Sequence, residues 1–165
     1  MKADNHTGLI YKAYKIIGNR TPIRADCGKL CGKACCKGET AGMLLFPGED
    51  CILEGVPGFS IEETDYMETA GVKLLRCEGR CSRDTRPLSC RIFPVAPDVG
   101  EAGSVGAQPD IRGRRVCPIW DLEHVDTSFI KSVEKAFALL SEDKEMLAFM
   151  GLVSSDIKFL RRFYK

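Results

Sequence analysis

Apolar residues recur at helical spacing near the start of the chain, where Leu9, Ala13 and Ile16 form one stripe and Ile10, Tyr14 and Ile17 form its neighbour. This pattern predicts a helix over residues 6–17, closed by Gly18-Asn19. The period is then lost. Gly28, Gly32 and Gly38 punctuate a loop, and Met43 to Phe46 is a short apolar run ended by Pro47-Gly48, the pattern of a strand and turn. Residues 48–69 are acidic and predict irregular chain with one helical turn; Val72 to Leu75 predicts a second strand. Pro94 and Pro97 make Ile92 to Ala96 extended, and the Gly- and Pro-rich stretch 97–109 reads as an exposed loop between two extended segments. Helical spacing returns with Phe129, Val133, Ala136, Phe137 and Leu140, predicting a helix over 128–140. Two shorter helices are expected over 142–150 and 155–164, the second capped from Ser154-Ser155-Asp156.

The expected fold class is therefore α+β. A small, loop-rich cysteine centre with short strands is braced by an N-terminal helix and C-terminal helices. The length suits a single domain over residues 1–165, with a cysteine-rich core at 20–118 and a helical part at 119–165.

Cysteine changes this picture from fold to chemistry. The chain has nine in 165 residues, and seven of them fall in two short clusters. Cys27, Cys31, Cys35 and Cys36 read C-GKL-C-GKA-CC; Cys77, Cys81 and Cys90 read C-EGR-C-SRDTRPLS-C, and Cys117 follows later before a proline. Thiols three or four residues apart either chelate a metal or oxidise. The chain is long enough not to need staples, its cysteine density is below that of small secreted scaffolds, and nine is odd. Its start has no apolar run resembling a signal segment, and no stretch approaches the roughly 18 apolar residues of a membrane span. The expectation is a cytoplasmic protein in which reduced thiols bind metal. Cys35 and Cys36 are adjacent, and neighbouring side chains on extended backbone point apart. Either one is structural, then, or the two face different metal atoms.

The chain resembles the YkgJ-like cysteine-cluster family, whose pattern runs C-x2/3-C-x2/3-CC and later RP-x2-CR-x-FP. It supplies Cys27, Cys31, Cys35-Cys36, then Cys77, Cys81 and the run Arg86-Pro87-Leu88-Ser89-Cys90-Arg91-Ile92-Phe93-Pro94. The resemblance covers about residues 26–95 and implies metal chelation, without implying a reaction. Both gaps in the first cluster are three residues long, and Cys51 lies outside the pattern. The expected ligands are Cys27, Cys31, Cys35, Cys36, Cys77, Cys81, Cys90 and Cys117, with zinc as the metal and an iron–sulfur cluster as the alternative. Cys51 is expected to be a small buried residue.

Four thiolates around Zn²⁺ carry a formal charge of −2, which nearby guanidinium groups offset. Arg86 and Arg91 are expected to donate hydrogen bonds to sulfur or to anchor the loop backbone around it. His6 and His124 lie far from the clusters in sequence and read as surface or capping residues, while Trp120 reads as core. Lys158, Arg161, Arg162 and Lys165 close the final helix, where cations meet the negative end of its dipole. With a net charge of +1 the whole molecule offers nucleic acid no strong field, and only Phe93 among the aromatics is near the arginines at 73–91 and 112–115. Neither nucleic acid nor a membrane is the expected partner, and no particular partner is indicated. The chain has no phosphate-binding loop, H-E-x-x-H or G-x-S-x-G motif, so no catalytic residue is assigned.

Overall fold

The structure, a computed structural model, describes residues 2–37 and 42–164, with the side chains of residues 2–4 left aside. Its fold is α+β. The first helix, α1, spans Lys2–Ile17 and buries Ile10, Ala13 and Ile17 completely, the two stripes expected from the sequence. A single helical turn, α2 (Gly28–Cys31), and a 3-10 turn at Ala34–Cys36 carry the first cysteine cluster. Gly38, counted with the loop glycines, lies outside the described residues.

Three short strands follow: β1 (Gly42–Leu44), β2 (Phe59–Thr64) and β3 (Val72–Cys77), with the one-turn helix α3 (Asp50–Leu53) between the first two. They form an antiparallel sheet in the order β1-β3-β2, with Leu44 opposite Leu74 and Phe59 opposite Cys77. β2 corrects the irregular reading of 48–69. Its sequence, FSIEET, alternates, but the acidic residues turn outward, so the run looks like polar loop until β3 supplies the hydrogen bonds. α4 (Leu88–Ile92) replaces the extended start expected at Ile92.

Residues 97–109 are not one loop. β4 (Val95–Val99) and β5 (Val105–Pro109) pair as an antiparallel hairpin, Val95 opposite Pro109 and Val99 opposite Val105. Pro97 and Pro109 are tolerated because this sheet has only two strands, and both are edges. The C-terminal part is two helices: α5 (Thr127–Leu140) and α6 (Lys144–Leu160). Asp126 caps α5 by accepting from Ser128 N, and Asp143 caps α6 by accepting from Glu145 N and Met146 N. The expected break near 151–154 does not occur. Ser154 is buried within α6 and bonds Val99 N and Gln108, so tertiary contact satisfies the hydroxyl that would otherwise favour a cap.

The main core joins α1, α4, α5, α6 and the hairpin through Phe129, Phe137, Leu140, Met146, Met150 and Ile157, all fully buried. A second small core, Leu45, Leu53 and Leu75, lies under the three-stranded sheet.

One buried carboxyl group connects these parts. Glu49 is completely buried and accepts from Tyr14 Oη (2.6 Å), Phe46 N (3.0 Å) and Leu88 N (2.5 Å). Burial pushes its carboxyl pKa up, and these three donors oppose that rise. α1, the turn after β1 and the start of α4 thus meet on one side chain. Replacing Glu49 by Ala leaves two backbone N–H groups buried and unpaired, and should destabilise the fold by roughly 3–5 kcal/mol in urea unfolding; Tyr14→Phe should cost only about 1–2 kcal/mol.

Candidate metal centre

The cysteines reach one place from three parts of the chain. Cys27, Cys35, Cys36, Cys77, Cys81 and Cys90 all line a cavity of about 1010 Å³. Its floor is set by local geometry. Gly32, at φ 60°, ends α2 and lets the chain reverse into Lys33, which adopts the same left-handed conformation at φ 60°. The 3-10 turn after it directs Cys35 and Cys36 the same way, their sulfurs 3.9 Å apart. Adjacent thiols therefore do not point apart, because the backbone is not extended.

The second cluster meets the first at a glycine. Gly79 has φ 74°, and a Cβ there would stand 2.8 Å from the carbonyl oxygen of Cys36. Only a residue without a side chain lets residues 77–81 lie against the 3-10 turn. Cys77 ends β3, Cys81 follows on the loop, and Cys90 sits within α4, whose first free N–H is held by Glu49. Cys31 and Cys117 do not line the cavity. They are near one another: burial, and after it the charges of Cys31 and Cys27, raise the Cys117 thiol pKa. Cys51 departs from expectation: it is exposed on α3, whose buried contact is made by Leu53 two residues on.

The thiols discourage one another's ionisation. Burial raises Cys27 and Cys90, and for Cys90 the charges of Cys36, Cys81 and Cys77 add to it. The contact with Cys36 pushes Cys35 up most of all. Cys36 goes the other way. Its hydrogen bond from Cys35, helped by the charges of Arg86 and Lys33, holds it down at about 6.

The two arginines separate into different tasks. Arg86 hydrogen-bonds Cys81 and stands near the charges of Cys90 and Cys36; these contacts outweigh burial and keep it charged. Arg91 donates Nε to the Arg86 carbonyl (2.7 Å) and Nη2 to the Asp84 carbonyl (2.8 Å), with its guanidinium 4.2 Å from the Tyr14 ring centre. Arg91 holds the loop that presents Arg86. The histidines are elsewhere: His6 lies 3.3 Å from Asp143 at the start of α6, and His124 sits near Arg24 and Asp126. Trp120 packs against the main core, as expected.

Glu49 is the residue that sequence reading missed, because a glutamate in an acidic stretch gives no sign that it will be buried. Among the described residues, all nine cysteines are free thiols, and no three His, Cys, Asp or Glu side chains close around a single point as one ion would need. Six of the thiols are spread along the cavity wall instead, and their type suits a thiophilic metal. No family model, curated protein or solved structure matches the chain.

In metal-free reduced protein the low Cys36 value sets an order of reactivity. Its thiolate predominates above about pH 6 and is lost below it. At about pH 7, iodoacetamide should modify Cys36 before Cys27, Cys35, Cys90 and Cys117, with the preference fading as pH falls through 6; peptide mass mapping reads the order.

Proposed function

We propose that this chain is a metal-binding cysteine-cluster protein, with zinc as the metal, working in the cytoplasm where thiols stay reduced. What supports the reading is the convergence of six thiols from three chain segments on one cavity, beside a guanidinium bonded to one of them. Three of these thiols are raised in pKa by burial and by each other, and a cation among them would relieve both effects. The proposed ligands are drawn from Cys27, Cys31, Cys35, Cys36, Cys77, Cys81, Cys90 and Cys117, four of which would complete one tetrahedral zinc site. Zinc bound there would join residues 27–36 to 77–90, taking over part of the work of a hydrophobic core. The resemblance to the YkgJ-like family belongs to the same proposal.

One observation favours a second reading. The close spacing C-x3-C-x3-C of Cys27, Cys31 and Cys35 also suits an iron–sulfur cluster, which like zinc takes four thiolates. Anaerobic purification separates the two: colourless protein with stoichiometric zinc by elemental analysis is expected, whereas brown protein absorbing at about 400 nm identifies the cluster. Protein that holds neither metal, and takes up none on reconstitution, overturns both.

Site variants carry the reading to residues. Cys90→Ser should abolish stoichiometric metal, and Cys51→Ser should leave it unchanged. Arg86→Ala should lower metal affinity roughly ten- to a hundredfold in competition with a chromogenic chelator. Arg91→Ala acts through the backbone of residues 84–86, so it should also weaken affinity while lowering the unfolding midpoint in the absence of metal.

A further inference from the structure

The face opposite in character to the cysteine cavity lies where the 3-10 segment Ile111–Arg115 packs against α6. In sequence these are two unrelated stretches. Residues 111–119 contain Arg112, Arg114 and Arg115, residues 157–164 contain Lys158, Arg161 and Arg162, and neither stretch contains Asp or Glu. Folding lays them side by side. Arg114 Nη1 donates to the Tyr164 carbonyl (3.0 Å), and Arg161 Nη2 donates to the Pro109 carbonyl (2.8 Å).

The aromatics absent beside Arg112–Arg115 in sequence arrive from the other segment. Phe159 is 50% exposed, Phe163 69% and Tyr164 38%, values high enough to leave ring faces open to solvent. Phe159 and Phe163 lie with centroids 5.1 Å apart. The Arg115 guanidinium is 6.0 Å from the Tyr164 ring centre, and that of Arg114 is 5.9 Å from the Trp120 ring. Two of the six cations are already engaged: Arg112 is bound through two nitrogens to Asp110, and Lys158 pairs with Asp98. Among the described residues, Arg114, Arg115, Arg161 and Arg162 form no ion pair.

We propose that this basic–aromatic face binds single-stranded nucleic acid, its bases stacking on Phe159, Phe163 and Tyr164 and its phosphates meeting Arg114, Arg115 and Arg162. Exposed rings beside guanidiniums that form no ion pair offer stacking surfaces for bases and charge for the phosphates of one strand. A paired duplex hides its base faces and would leave the rings unused. A membrane surface fits less well. Helices that lie in the headgroup region offer a continuous apolar stripe. α6 commits its stripe of Met146, Met150, Val153 and Ile157 to the core, so only rings set among cations remain outside.

The test is fluorescence anisotropy with labelled oligo(U) RNA and the protein as purified, metal included. A duplex RNA of equal length and phosphatidylcholine–phosphatidylglycerol vesicles serve as competing probes. Oligo(U) should bind more tightly than duplex. Phe163→Leu, which keeps apolar bulk and removes the stacking face, should weaken binding at least about fivefold. The double variant Arg114→Ala/Arg115→Ala should weaken it further and flatten the dependence of log K on log salt by about 1.4, or about 0.7 for each phosphate left without its arginine. Phe163→Tyr restores a ring and should bind like the parent, which separates stacking from any disturbance of the helix end. Absence of oligo(U) binding at low salt, equal affinity for duplex, indifference to Phe163→Leu, or binding to vesicles alone would each overturn the proposal.

Discussion

A carboxylate with no access to water holds the cysteine region to the helical core. Glu49 takes its three hydrogen bonds from α1, from the turn after β1 and from the first turn of α4. Few groups could do this. A buried carboxylate costs several kcal/mol unless its oxygens are satisfied, so the three segments must arrive together or not at all. Arg91 extends the arrangement, lying over the Tyr14 ring and holding the carbonyls of Asp84 and Arg86. From Tyr14 to Arg86, then, an unbroken run of interactions reaches the sulfur of Cys81.

That arrangement explains why a region with so little regular structure can place thiols at all. Among the described residues, 20–118 contain strands of three to six residues and helical segments of three to five. The core beneath the three-stranded sheet is, among the described residues, Leu45, Leu53 and Leu75, with Ile52, Phe59, Ile61 and Cys77 packed against it. Placement comes from a few local constraints: left-handed Gly32 and Lys33 before the Cys35-Cys36 turn, and Gly79 pressed against the Cys36 carbonyl. The thiols so gathered are crowded, and burial and mutual repulsion raise the pKa of Cys27, Cys35 and Cys90 among them, effects that a cation would relieve.

The molecule presents two unlike surfaces. One is the cavity that six cysteines help to line; the other is the arginine-rich face at the end of α6. Both are assembled from segments distant in sequence, and both depend on where α6 lies. Its Phe149 and Val153 border the cavity, and the residues at and beyond its end carry the exposed rings.

Helices α1 and α5 are legible in the chain because their apolar residues repeat with a period that only a helix can bury on one side. The gathering of thiols into two clusters is legible too, and the short apolar runs at 43–46 and 72–75 beside those helices give the α+β class. Three features need the tertiary structure. β2 and the β4–β5 hairpin take their hydrogen bonds from partners that sequence does not name. Ser154 and Gly151, which locally favour a helix end, are carried through because α6 is packed along its length. Glu49 is polar by composition and interior by position, and nothing within an acidic stretch distinguishes the one glutamate that will meet three donors. Periodicity and residue chemistry are local properties, so one chain suffices to read them; burial, pairing and the joining of remote charges belong to contacts between segments, and only folding decides those.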